Sequence, residues 1–459
     1  MQQSKEIENY LADQRAFANN GASNAPVWLK DLRSRGIEKF SELGFPTIKH
    51  EDWRFTNILP LTKIPFQHAA ESAGSAVRRD EISKYIFAPS STSLLVFING
   101  HFEAKLSDLS GLPEDVVSGS LASYMASRGE FIREHLNRDL PLQQHPFAAL
   151  NAGFIHDGAF VHIPKGRKVA VPIQMLFVST TRKENSQVSY PRNLLVVAEN
   201  ASATFIESYV SLSEEVHFTN AVTEAFVARE AAVDFVKVQR ESEKAFHIGT
   251  IQVEQERGSR FTAFSLALGG AIARNDINII VNGDHCETML DGLYISANDQ
   301  LIDHHTFIDH RLPDCSSREI FKGIVTGNSR TVFNGKIFVR REAQKTDSKQ
   351  TNKNLLLSDT ATVDTKPQLE IFADDVKCTH GATVGGLDDA SLFYVKSRGI
   401  GEDAARAVLT VGFAGEVTNY INNEALRKHV DSLVVERLQD KVMQIPLPEI
   451  VHSDIKAHE

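Results

Sequence analysis

The 459-residue chain has three cysteines, Cys286, Cys315 and Cys378, and none belongs to a C-x-x-C pair. So few thiols, in odd number, exclude a disulfide framework. Basic residues are outnumbered, leaving a formal net charge of -10, which argues against a nucleic-acid surface. No apolar run is long enough to cross a bilayer, and the polar start MQQSKEIEN has no secretory pattern. The expectation is a cytoplasmic protein that binds neither nucleic acid nor membrane. The chain also lacks a G-x-x-x-x-G-K-[ST] phosphate loop, a G-x-G-x-x-G turn, a G-x-S-x-G elbow and an H-E-x-x-H helix. Nucleotide binding, serine hydrolysis and zinc proteolysis by those devices are therefore excluded.

What is present is a change of period. The first part reads as helical: Ile7, Tyr10, Leu11, Phe17 and Ala18 share a face with Gly21 as a stop. A second helix opens at Pro26, pauses at Gly36 and continues through Ile37, Phe40 and Leu43. One apolar strand, Ser93 to Ile98, interrupts this region, and Leu121 to Leu136 and Pro146 to Gly153 return to helical spacing. From about Gly158 the period becomes two, in short apolar runs punctuated by Gly, Asn, Asp or Pro. ETMLDGLYI (287–295) resembles RTVFNGKIF (330–338), an offset of 43 residues that suits two solenoid coils of about 20 to 22 residues each. These patterns predict a mainly β protein with flanking helices: an N-terminal α-rich domain (1–157), a parallel β-helix (158–398) and a C-terminal helical domain (399–459). By itself that last unit reads as a solenoid cap.

Three stretches carry candidate chemistry. In DDVKCTHGATVGG (374–386) a strand would put Val376, Cys378, His380, Ala382 and Val384 on one face. Cys378 and His380 would then lie roughly 6.6 Å apart along the strand, within reach of one metal ion. The same face equally suits a core, with the thiol as a small hydrophobe. In LIDHHTFIDHRLPDC (301–315) a strand separates His304 and His310 from His305, so packing is the better reading for His304, His310 and Cys315 than metal ligation. REAQKTDSKQTNKNLLL (341–357) reads as a solvated turn or an amide ladder between stacked coils. Asp303, Asp309, Asp374 and Asp375 leave open a glycan-cleaving β-helix, though nothing fixes the distance between an acid and a base.

Several strings are more specific: GFPTIKHEDWRFTNI, LGGAIARNDINI, DHHTFIDHRLPDCSSREIFKGI, FNGKIFVRREAQKTDSKQTNKNLLLS, DTKPQLEIFADDVKCTHGATVGGLD and LFYVKSRGI. Together they resemble the SufB/SufD family of the Suf iron-sulfur cluster assembly system, with the first string pointing to its SufD branch. Phe55 and Phe321 stand where that pattern has Tyr, a loss of two hydroxyls. The resemblance implies a right-handed parallel β-helix and a non-catalytic scaffold that pairs with SufB through β-helix edges. It implies docking of the ATPase SufC on the C-terminal helices, with Arg398, Gly399, Phe413, Glu416 and Leu426 as candidates, and a homodimer when the chain is isolated. It also implies iron or a transient cluster shared with SufB, ligated by His380 first and Cys378 second. Three scattered cysteines alone cannot supply the usual four ligands. A SufB-like paralogue acting as the main cluster scaffold is the alternative within the family.

Overall fold

The computed structural model describes residues 2–20, 25–69, 77–88, 91–138, 140, 142, 144–180 and 186–443. Gly21, expected to stop the first helix, and residues 444–459 of the expected C-terminal domain lie outside these.

Each run of alternating apolar residues pairs in parallel, with the strand two places further along the chain as its neighbour, so two sheets face each other across one core. Ile272 pairs with Leu301, and Leu301 with Arg330, so one coil takes 29 residues and contributes a strand to each sheet. This corrects the expected coil of about 20 to 22 residues. The 43-residue offset spans one and a half coils: Glu287–Ser296 lies in one sheet and Arg330–Val339 in the other. The repeat therefore compares opposite walls.

Stacking identical rungs places like side chains over one another. Phe97, Phe177 and Tyr209 form a column with ring centroids 4.9 Å apart, near the separation of adjacent strands. Phe205, Phe235, Phe261, Phe321 and Phe333 extend the same core. Burial of each such side chain contributes roughly 1.5–3 kcal/mol. The corners between strands repeatedly use left-handed backbone, at Asn200, Glu230, Gly258, His285, Asp314 and Lys345. The Gly, Asn and Asp punctuation follows from this, since those residues enter that region at least cost.

The two ends of the solenoid differ. At the first end, Ser93–Ile98 joins a sheet through Ile173–Ser179 and is flanked by an antiparallel strand, His101–Phe102. Val117–Ser120 likewise closes the other sheet by pairing antiparallel with Ala159–Ile163. Helices Gln2–Asn20, Val27–Leu43 and Pro146–Gly153 cover the outer face of the first sheet, while Phe102, Leu109 and Leu112 pack against the solenoid core. Gly36 does not interrupt its helix. A Cβ there would come within 2.6 Å of the Gly153 nitrogen, so glycine permits the two helices to cross closely. At the last end, strands Thr362–Ile371 and Lys377–Gly385 have no further strand beside them among the described residues. Helices Glu402–Thr418 and Glu424–Arg437 pack on the second sheet instead, and Asp389–Ser397 precedes them and packs against Glu402–Thr418. Asp389–Ser397 was not expected from the sequence, which ran the β-helix to residue 398.

Candidate functional site at the open end

Lys377–Gly385 pairs in register with Asp347–Leu356, placing Cys378 over Ser348 and His380 over Gln350. Ser348 and Gln350 are buried inside the solenoid. Cys378 and His380 continue the same inward-facing columns, but among the described residues no coil lies above them, and His380 is exposed and Cys378 half-buried. The alternation seen in the sequence is thus correct for the face. That face is the floor of an open mouth and not a closed core. Cys378 packs beside Ile337, Val339, Ala343 and Ala373, and burial raises its thiol pKa, with the nearby Asp347 charge adding to the shift.

Below the mouth the columns are polar. Ser348 and Ser317 exchange a 2.6 Å hydrogen bond, and Ser317 meets His310 Nε2 at 2.9 Å. In the parallel column, Gln350 Nε2 donates to Glu319 Oε2 at 2.6 Å. Asn352 Nδ2 donates to Tyr294 Oη, and Tyr294 Oη donates to Asn354 Oδ1. The stretch read as a turn or an amide ladder is therefore both: residues 341–346 make the turn, and inward residues of Asp347–Leu356 form the ladder. Buried amides and hydroxyls keep partners in successive coils, which fixes register where apolar packing thins out.

Residues 177–413 match the family described as SUF system FeS cluster assembly, SufBD core domain, and residues 1–175 match the SufBD protein N-terminal region. The chain is 32% identical to the iron-sulfur cluster assembly protein SufD of Escherichia coli (strain K12), over 88% of this chain and 91% of that protein. It is 32% identical to an iron-sulfur cluster assembly SufBD family protein of Synechocystis, over 86% and 87% of the two chains. It is also 30% identical to protein ABCI7, chloroplastic, of Arabidopsis thaliana, over 92% and 90%.

The chain belongs to the SufBD family.

In this SufBD protein the other predicted site residues do not converge on the mouth. His304 is buried against Tyr294 and Phe321, with ring centroids at 5.3 and 5.2 Å, and burial lowers its pKa to about 3. His310 is lowered to about 4 for the same reason. Cys315 Sγ lies 3.2 Å from the Gly283 carbonyl oxygen, deep in a corner of the coil. These three belong to the interior packing. Asp303 and Asp309, the carboxylates considered for glycan cleavage, are occupied by ion pairs. Asp303 meets Arg274 at 2.9 Å, and Asp309 is bound by Arg311 and Arg340 at 2.9 and 2.8 Å.

The docking candidates divide. Leu426 is buried against the second sheet, so it cannot present itself to a partner while its helix stays in place. Phe413 is half-buried against the solenoid, and Glu416 is exposed but reaches back to it. Lys322 Nζ donates to the Phe413 carbonyl oxygen at 2.9 Å and pairs with the Glu416 carboxylate. Arg398 and Gly399 are exposed, and Arg398 Nη2 donates to Tyr394 Oη at 2.7 Å. Beside them, Phe393 and Tyr394 are 75% and 59% exposed, the largest outward aromatics on the C-terminal helices. They lay within LFYVKSRGI and could have been found as aromatics on the polar side of a short helix. No helix of the described residues is long and apolar enough to cross a membrane.

Proposed function

We propose that this SufBD protein is the non-catalytic SufD-type scaffold of a SufB-SufC-SufD complex, supporting iron acquisition and nascent cluster binding. The observation that carries this reading is the open last coil, which leaves Cys378 and His380 beside an unpaired strand edge. Such an edge accepts another strand by main-chain hydrogen bonding. Among the described residues no group of three or more His, Cys, Asp or Glu is arranged to hold a metal ion. Cys378 and His380 would therefore supply part of a ligand set and SufB the rest, with iron or the cluster as cargo.

Pro367 lies in Thr362–Ile371 and cannot donate from its nitrogen, as expected of an edge strand. Lys377–Gly385 has no proline and offers the more continuous edge to SufB. SufC would meet the exposed aromatics Phe393 and Tyr394 and the adjoining Arg398-Gly399 turn. Nucleotide chemistry then belongs to SufC, consistent with the lack of phosphate-binding motifs in this chain.

Coexpression with SufB and SufC under anaerobic conditions tests the proposal. The complex carrying His380→Ala should assemble normally and hold less iron and sulfide than the unmutated one, with Cys378→Ala losing less. Equal iron and sulfide in both complexes would remove the ligand role. Failure of the unmutated chain to copurify with either partner would remove the scaffold role.

A further inference from the structure

The N-terminal string IKHEDWRFT is not used by the site at the open end. It forms a loop laid across the outer face of the first sheet, enclosing a pocket of about 620 Å³, a volume typical of small-molecule sites. The loop is fixed from below. Trp53 is buried under the Arg274 guanidinium, 3.8 Å from its ring centroid, and Arg274 Nη1 donates to the Asp52 carbonyl oxygen at 2.6 Å. Thr56 Oγ1 donates to Asp303 Oδ2 at 2.6 Å.

The floor is a row of polar groups set by strand register: His305, Asn334 and Lys366 are direct neighbours on three adjacent strands. His305 Nε2 lies 3.1 Å from the buried Asp303 carboxylate, which orients the ring. The Asn334 oxygen accepts from Gln368 Nε2 at 2.8 Å, which leaves its amide hydrogens for another partner. Lys366 Nζ pairs with Glu51 at 2.6 Å. Lys49, His50 and Arg54 line the loop side, and Phe55 lies under Arg54 and Arg330, 5.7 and 5.8 Å from the two guanidinium carbons. Two carboxylates, Glu51 and Asp52, share the pocket with three cations, Lys49, Arg54 and Lys366. In a chain of net charge -10, this pocket keeps an excess of donors.

We propose that the pocket binds a small organic anion with closely spaced phosphate or carboxylate groups, held by His305, Asn334 and Lys366 from the sheet and by Lys49 and Arg54 from the loop. Glu51 occupies Lys366 in the free protein, and the ligand displaces it. This inference is independent of the cluster-binding reading.

Calorimetric titration of the full chain with inorganic pyrophosphate and with citrate, at physiological ionic strength, tests it. Binding of one probe identifies phosphate or carboxylate chemistry. Lys366→Gln and Lys49→Gln, both at the surface, should each weaken binding by roughly tenfold, about the size of one charge-assisted hydrogen bond. Glu51→Gln should tighten it several-fold, because Lys366 is released. His305→Gln should also weaken it, provided its circular dichroism matches that of the unmutated chain. No heat from either probe up to about 10 mM, a concentration well above useful affinity, would overturn the proposal. So would binding that none of the lysine and glutamate variants changes, since that describes ordinary surface attraction.

Discussion

Glu319 offers a test of how strongly the interior opposes charge. It is fully buried in the polar column below the open mouth, and burial pushes its carboxyl up to about 7 despite the hydrogen bond from Gln350. In the unfolded chain the group titrates near 4.5. Between those two values the folded protein holds one proton more than the unfolded chain, so this residue's contribution to stability falls as pH rises. The full span is on the order of 3 kcal/mol, at about 1.4 kcal/mol per pK unit. Glu319→Gln keeps the shape and an oxygen for Gln350, and it has nothing to ionise. The variant should gain on the original as pH rises, by about 2.5 kcal/mol between pH 5 and pH 8. Urea denaturation midpoints of both proteins at pH 5, 6, 7 and 8 measure that difference. A gap constant across the series would refute the argument, because the stability change would then come from packing or bonding and not from a buried proton.

Three further perturbations probe other levels of the structure. Lys322→Ala should loosen Glu402–Thr418 from the second sheet, since it removes both the donor to Phe413 and the charge facing Glu416. Hydrogen exchange should accelerate in that helix and leave the solenoid protected. Gly323→Ala would drive a methyl group into Tyr294 and Asn354, and overpacking of this kind costs roughly 1–3 kcal/mol. Thermal denaturation should show the loss, and an unchanged melting temperature would mean the coils can spread. Lys345→Gly relieves a left-handed corner at φ 62° and should stabilise by about 1 kcal/mol, read from the same melts.

Much of the architecture was visible as local chemistry. Period-two runs such as VDFVKV and DINIIVNG became paired strands because their alternating residues face the core and the outside. The coil length was not visible, because ETMLDGLYI and RTVFNGKIF are alike through a shared strand pattern even though they sit on opposite walls. Gly36 was misleading for a related reason: its signal reports a close helix crossing 117 residues away at Gly153, a contact that local sequence does not record. At the open end, alternation put Cys378 and His380 on the correct face. Their exposure goes with the absence of a next coil among the described residues, which follows from topology. The pocket under IKHEDWRFT was hidden for the same reason, since His305, Asn334 and Lys366 come together only through strand register.

The difference between the two ends of the solenoid sets a limit on growth. A parallel stack open at both ends could add copies head to tail without closing, the geometry of a filament. Here antiparallel strands close one terminus, so among the described residues a single end is left on which a further coil can be laid. Two such chains joined face to face use up both free ends, and the assembly terminates as a pair.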